Sequence, residues 1–154
     1  MNTTTKLVVR TVAELKQIIA GSAIDADLNY IDVSGITDMS FLFDCTRFNG
    51  DISEWDVSNV RNMCKMFTQS KFNNDISKWD VSRVEDMYGM FANSRFNGDI
   101  SKWDVGCVKD MRCMFIHSKF QGNISGWDVR NVKNMSAMFI NSDFCGDISK
   151  WDVV

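Results

Sequence analysis

The sequence predicts an α/β fold: a curved, right-handed solenoid of five 24-residue repeats with an N-terminal strand-helix cap. Three observations predict it. The pentapeptide Ile-Ser-x-Trp-Asp recurs at a fixed interval of 24 residues, and a strict period of this length marks repeat architectures. The same apolar residues return in register in every unit. The chain contains no proline, so its many turns are made by other residues.

The period divides the chain into a cap, residues 1–30, and a repeat domain, residues 31–154. The units are 31–54, 55–78, 79–102, 103–126 and 127–150, followed by a partial unit, 151–154. In the first unit, Ile31 stands where the later units have tryptophan. Five copies exceed the roughly three repeats that a shared core needs, so one cooperative domain is expected.

The cap begins with a short predicted strand at residues 6–10. Thr11 and Glu14 have the spacing of a capping box, which predicts a helix that runs through Leu15 and Ile19 and ends near Gly21. Charged residues interrupt the apolar stretch, so it lacks the continuous core of a secretion signal. No stretch of the chain is apolar enough over 18 or so residues to predict a membrane span.

Each repeat is predicted to contain a short helix. Val60, Met63, Met66 and Phe67 fall at i, i+3, i+6 and i+7 behind Ser58, which is a suitable N-cap. The ten methionines recur in register with valine and phenylalanine, which favours core packing over a thioether metal site or an adaptable groove.

The other part of each repeat is predicted to be extended. Ile76 is an odd number of residues from Trp79 and from Val81, so in one straight strand its side chain would point to the opposite face. The sequence therefore predicts either two short strands with a bend at residues 77–78 or one bulged strand. Strands stack about 4.8 Å apart and helices about 8 to 10 Å apart, so a helix on one side would curve the stack. The strand-lined concave side is then the expected binding surface. Pairs such as Asn49-Gly50 are expected to supply positive φ at the turns.

Three polar columns recur in register. They are Asp32, Asp56, Asp80, Asp104, Asp128 and Asp152; Asp51, Asp75, Asp99, Asn123 and Asp147; and Ser53, Ser77, Ser101, Ser125 and Ser149. Stacked carboxylates repel one another, so something must offset their charge. Three interpretations are open: the aspartates accept backbone amides or serine hydroxyls at bends, they line a calcium-binding edge, or Lys78, Lys102 and Lys150 pair with them from outside.

The string Phe-Asn-Gly-Asp-Ile-Ser-Lys-Trp-Asp-Val at 96–105, followed by Val-x-x-Met-x-x-Met-Phe, resembles the repeat of the BspA-like leucine-rich-repeat surface proteins. The resemblance is to the type first catalogued as a domain of unknown function in Mycoplasma lipoproteins, and it covers about 31–154. The cap segments 15–19 and 27–33 are similar to those that open many such bacterial arrays. The resemblance implies a leucine-rich-repeat-like scaffold at the cell surface or secreted, with a role in adhesion and no catalytic activity.

Residues that depart from the repeat are the candidates for specificity. The predicted binding residues are Glu54, Lys78, Lys102, Tyr88, Arg112 and His117, while the structural ladder is Trp55, Trp79, Trp103, Trp127, Asp56, Asp80, Asp104 and Asp128. The single histidine has no nucleophile motif around it, and the five cysteines show no zinc or disulfide pattern. The chain is therefore predicted to be a binding module for a protein or host-surface ligand, with no enzyme activity, cofactor or metal.

An alternative of another class is a self-assembling structural protein. Trp151, Val153 and Val154 end the sequence without a cap segment, so they are a candidate edge for a homodimer. The formal net charge of -3, with basic and acidic residues interleaved, predicts no nucleic-acid partner. The missing signal and the free cysteines favour a cytoplasmic location, whereas the family resemblance implies the surface.

Overall fold

The computed structural model describes residues 5–153. Its regular elements are β1 (Leu7–Val8), α1 (Val12–Ala20) and β2 (Ile31–Asp32). β1 runs parallel to β2, with Leu7 opposite Ile31, so the cap keeps the 24-residue register of the units that follow. Within residues 5–153, no helix has the length and apolar character needed to cross a membrane.

Helix α1 begins as the sequence predicts. Thr11 is the N-cap, and its Oγ1 accepts the backbone N–H of Glu14 at 3.2 Å. The Glu14 carboxylate accepts the N–H of Arg10 at 3.1 Å, one residue before the position expected in a capping box. Leu15 and Ile19 face the core, and Gly21 ends the helix. The predicted cap helix is confirmed.

Backbone hydrogen bonds join each unit to the next at equivalent positions. For example, the Met63 N–H donates to the Asp86 carbonyl and the Phe67 N–H donates to the Met90 carbonyl, both at 2.9 Å. Single parallel bridges repeat along one column, which is Asp38, Asn62, Asp86, Asp110 and Asn134. The units are thus held edge to edge by main-chain contacts of large sequence separation.

The helix predicted behind Ser58 is wrong, because this part of the unit consists of successive turns. The Met66 N–H donates to the Met63 carbonyl at 3.2 Å, and φ is +52° at Lys65 and +54° at Gln69. Successive N–H groups alternate between two kinds of acceptor: one donates to a carbonyl of its own turn, and the next donates to a carbonyl of the following unit. In an α-helix, by contrast, each N–H would donate to the carbonyl four residues earlier. The turns overlap, since they begin at Met63, Lys65 and Phe67, and they return Met63, Met66 and Phe67 to the core at a spacing that imitates a helix. With no helix in the repeats within residues 31–153, the spacing argument for a curved stack no longer applies.

Positive φ angles occur twice in each unit, four residues apart. They are found at Phe41, Cys45, Lys65, Gln69, Gly89, Asn93, Cys113, His117, Ala137 and Asn141. This is the third position of a type II turn, where the backbone must enter the left-handed region. The expectation of positive φ at pairs such as Asn49-Gly50 is wrong for the described residues. At Gly98 a Cβ would lie 2.9 Å from the Phe96 ring, so an aromatic ring packs closely against the backbone there, although the equivalent position of the second unit is Asn74.

The bend predicted at residues 77–78 is present as a turn, since the Trp79 N–H donates to the Ile76 carbonyl at 3.2 Å. The strands expected on either side are not formed, because β1 and β2 are the only strands within residues 5–153. The binding surface therefore cannot be assigned to a strand-lined side.

The core runs along the stack as ladders of like side chains. The Phe43 and Phe67 rings are 5.2 Å apart and nearly parallel, and the pattern continues through Phe91 and Phe115. The tryptophans of the structural ladder lie inside, each 3–4% exposed. The Trp103 Nε1–H donates at 3.1 Å to the carbonyl of Ile76, which lies near the end of unit 55–78. Met39, Met63, Met87 and Met111 are fully buried, which confirms their interpretation as core residues, while the equivalent Met135 of the last full unit is partly buried.

Candidate functional site

The aspartate columns serve the turns. The Asp80 Oδ1 accepts the Ser82 N–H at 3.0 Å, and the Asp99 Oδ1 accepts the Ser101 N–H at 2.9 Å. Hydrogen bonds from the hydroxyl and the amide of Ser82 lower the pKa of Asp80. These contacts confirm the interpretation of the columns as acceptors of backbone and serine groups. A third such column, the one that carries the parallel bridges, makes the same contacts and was not recognised from the sequence.

The structure gives little support to the two other interpretations of the aspartate columns, pairing with lysine and calcium binding. Among residues 5–153, neither Lys78 nor Lys102 forms an ion pair. The charge of Lys78 acts only as a lesser cause that lowers the pKa of Asp75, after the hydrogen bonds from Ser77. The described chain holds no group of three or more His, Cys, Asp or Glu side chains placed to bind a metal ion.

Two of the predicted binding residues meet on the surface. The Arg112 guanidinium lies 5.0 Å from the centre of the Tyr88 ring, and the Lys65 ammonium lies 5.2 Å from the same ring. The Lys65 ammonium is also 5.7 Å from the ring of Phe41, which is 42% exposed. We call Phe41, Lys65, Tyr88 and Arg112 the Tyr88 cluster. Its members come from four consecutive units, so only the stacked fold brings them together.

An ion pair fixes the cationic side of the Tyr88 cluster. The Arg112 Nη2 lies 2.6 Å from Asp110 Oδ2, and Arg112 Nε lies 2.9 Å from the same oxygen. Partial burial raises the pKa of Asp110, but the hydrogen bonds from Arg112 outweigh it and bring the pKa below its usual value. The guanidinium is thus held over the Tyr88 ring before any partner arrives.

The remaining predicted binding residues lie elsewhere. Glu54, Lys78 and Lys102 are exposed and share one column at the turn before each Trp-Asp pair. His117 is exposed and occupies a left-handed position, and its backbone N–H donates to the Ile140 carbonyl at 2.8 Å. Phe41 and Lys65 were not predicted as binding residues. When the units are aligned by their 24-residue period, these two residues share one column, next to the column of Tyr88.

The basic residues are not evenly interleaved with acidic ones, which corrects the sequence analysis. Arg61, Arg83, Lys109 and Lys133 border a shallow groove of about 380 Å³. Glu85 lies in this groove between Arg61 and Lys109, and hydrogen bonds from Lys109 and then Arg61 lower its pKa. A second set of basic residues stands at one repeated position of four successive units and has no acidic residue between its members in that column. The set is Arg47, Lys71, Arg95 and Lys119.

Only part of the predicted oligomer edge is exposed to solvent. Trp151 is 9% exposed, stacks on Trp127 at 6.4 Å and donates its Nε1–H to the Ile124 carbonyl at 3.0 Å. Val153 is 63% exposed. Val154 lies outside the described residues. In the last full unit, partly buried apolar side chains pack against the core, among them Val132, Met135, Phe139 and Phe144.

These contacts define a chain of 24-residue repeats, joined edge to edge by the backbone, whose non-repeating side chains meet on the surface. The sequence profile of a family described as Mycoplasma protein of unknown function, DUF285, matches residues 11–117 and 92–154. The two ranges cover most of the chain, which belongs to this family. Neither a curated protein nor a solved structure matched the chain.

Proposed function

We propose that this chain is a non-catalytic scaffold that binds a protein on a host surface. In this proposal the repeats form a right-handed solenoid of the BspA-like leucine-rich-repeat type, and the invariant positions maintain the stack. The positions that differ between units are then free to recognise a partner. The support for a binding role is that the polar columns have structural partners within the chain, which leaves the irregular surface residues for recognition.

The Tyr88 cluster is the observation that carries the proposal. Tyrosine and arginine are enriched among the residues that dominate protein–protein binding energy. Here the partly exposed Tyr88 ring and three neighbours are gathered from four units, at positions whose residue type changes from unit to unit. Asp110 already restrains the Arg112 side chain, so binding would lose less side-chain entropy than it would with a free arginine.

Affinity capture from host-cell surface extract tests the proposal. The bait proteins are the wild-type chain, a Tyr88→Ala, Arg112→Ala variant, and a control variant, Lys78→Ala, Lys102→Ala, which changes the other predicted surface. Circular dichroism and melting confirm that all three are folded. We expect one protein, identified by mass spectrometry, to be retained by the wild type and the control and lost from the Tyr88 variant. Equal retention by all three, or no retained protein, would count against this surface.

A second candidate function is self-association through the last full unit. In earlier units the N–H groups at Met111, Cys113, Phe115 and His117 donate to the following unit. The equivalent N–H groups have no backbone acceptor within residues 5–153, and they belong to Met135, Ala137, Phe139 and Asn141. Such an edge pairs readily with another chain.

Sedimentation equilibrium of the 154-residue chain tests self-association. The second candidate predicts a mass of twice 17.6 kDa that Val132→Lys together with Val153→Lys reduces to the monomer value. A matched charge change on the cap, Thr5→Lys with Gln17→Lys, should leave the dimer intact. A monomer for the wild-type chain at the highest soluble concentration would reject the candidate.

A further inference from the structure

Four basic residues recur at one position of successive units. We call Arg47, Lys71, Arg95 and Lys119 the basic column. All four are exposed, and the next residue along the chain is in each case a buried phenylalanine. The main chain joins neighbouring units at this column, because the Lys71 N–H donates to the Thr46 carbonyl at 3.1 Å. The cations therefore project from one continuous surface that crosses four units.

The charges recur at a short, regular interval. The rings of Phe72, Phe96 and Phe120, which follow three members of the basic column, are 6.4 Å apart from one unit to the next. Parallel backbone segments joined by hydrogen bonds lie about 4.8 Å apart, so the backbone positions that carry the positive charges repeat at about 5 Å. Like charges at this spacing repel one another, and nothing in the fold requires them to be aligned.

Most of this charge is not offset within the chain. Lys119 pairs with Asp143, with Nζ and Oδ2 3.1 Å apart. Arg47, Lys71 and Arg95 form no ion pair within residues 5–153. Three consecutive cations are thus available to an anionic group from outside the protein.

A row of amide groups runs beside the basic column, two residues further along the chain. The Asn73 N–H donates to Asn49 Oδ1, the Asn97 N–H donates to Asn73 Oδ1, and the Gln121 N–H donates to Asn97 Oδ1, each at 2.8 Å. Because each donor is a backbone N–H, the side-chain oxygen must face it, and the NH2 group must point away. These three asparagine NH2 groups have no acceptor in the described part of the chain. They form a second row of donors parallel to the cations.

We propose that the basic column and its amide row bind a linear anionic polysaccharide that runs along the stack. Sulfate or carboxylate groups of the glycan contact Arg47, Lys71 and Arg95, and the asparagine NH2 groups donate to its acidic and hydroxyl oxygens. A repeating ligand fits because both rows repeat with the units. The site goes beyond the proposed protein-binding function, since it uses a different surface from the Tyr88 cluster.

The chemistry of the surface favours a polysaccharide over a single-stranded nucleic acid. Proteins that bind single strands combine a basic track with aromatic side chains on which the bases stack. The exposed columns on either side of the cations contain amides, cysteines and one histidine, but no tryptophan, tyrosine or phenylalanine. These flanking residues are Cys45, Gln69, Asn93, His117 and Asn141 on one side, and Asn49, Asn73, Asn97, Gln121 and Cys145 on the other.

Isothermal titration with a heparin oligosaccharide tests the proposal. The column variant is Arg47→Gln, Lys71→Gln, Arg95→Gln, and the matched control is Lys6→Gln, Arg10→Gln, Lys16→Gln on the cap. Both variants remove three positive charges from exposed positions, so they change the net charge equally. We expect the column variant to bind on the order of tenfold more weakly and with a smaller dependence on salt, while the control stays within about twofold of the wild type.

Four further results separate the possible outcomes. Wild-type protein that binds the heparin oligosaccharide more tightly than a poly(dT) oligonucleotide of equal charge supports a polysaccharide ligand, and the reverse order overturns it. Equal weakening in the cap variant overturns the assignment to the column. Absence of heparin binding by the folded wild type also overturns it. The Tyr88→Ala, Arg112→Ala variant should keep its heparin affinity, so failure of the protein-binding proposal and failure of this one give different patterns.

Discussion

Trp103→Ala should destabilise the entire chain. Trp103 lies in the fourth of the five units, is 3% exposed and packs with its ring 6.3 Å from that of Phe91. Replacing a buried tryptophan by alanine costs about 3 to 5 kcal/mol, from lost burial and the remaining cavity. The change also leaves the Ile76 carbonyl without the Trp103 Nε1–H donor, so we expect the upper part of that range. A loss of about 5 kcal/mol is a third or more of the stability of a small domain, which is about 5 to 15 kcal/mol.

Urea unfolding followed by far-ultraviolet circular dichroism measures the effect. Trp103→Phe is the matched variant, since it keeps a ring in the core and removes the hydrogen bond to Ile76. We expect it to lose about 1 to 2 kcal/mol, clearly less than the alanine variant. A loss below about 1 kcal/mol for Trp103→Ala would refute the reasoning, because a buried aromatic residue that joins two units cannot be removed so cheaply.

Two other predictions concern the turns. Gly89 has a φ of +59°, so Gly89→Ala should lower the unfolding free energy by about 1 kcal/mol. The control is Gly126→Ala, which should change it little because a Cβ there meets no atom within 4 Å. Equal urea midpoints for the two variants would contradict the turn assignment. Hydrogen bonds from Arg130 hold the pKa of Asp128 at about 2, and those from Ser82 lower the pKa of Asp80. Because these pKa values lie below the unfolded value of about 3.9, the associated stability is complete above that pH and is lost as the pH falls towards 2. The urea midpoint should therefore fall below pH 4, and a constant midpoint down to pH 2 would contradict the prediction.

The sequence predicted the period and the inward-facing residues because both depend on side-chain chemistry that is visible in one dimension. Every unit repeats Met63 and Phe67, and these side chains are buried in the first four units and partly buried in the last full unit. The structure of the turns was not predictable in the same way. Apolar residues three and four apart face one side of a helix, but Met63, Met66 and Phe67 reach the core from overlapping four-residue turns instead. What separates the two is the partner of each N–H, and for Phe67 that partner is in the next unit.

Glycine was the most misleading residue in the sequence. Its flexibility led to positive φ being expected at Asn49-Gly50, whereas the left-handed positions are taken by residues as varied as Phe41 and His117. The glycine at position 98 is needed for close approach of the Phe96 ring, and no local sequence pattern reveals such a contact.

The surface groupings were only partly predictable. Tyr88 and Arg112 were selected because they break the repeat, and they lie together. The basic column was missed because its members are 24 residues apart and the intervening acidic residues make the linear sequence look balanced. Comparing equivalent positions between units would have revealed it without a structure.

The central claim is that successive units are joined by backbone hydrogen bonds through turns, with no helix between residues 31 and 153. Nuclear magnetic resonance couplings transmitted across hydrogen bonds test it directly, because they identify the acceptor of each N–H. For the Phe91 N–H the structure predicts a coupling to the Met114 carbonyl, at an N–O distance of 2.9 Å. A coupling from Phe91 to the Met87 carbonyl, the acceptor in an α-helix, would contradict the account.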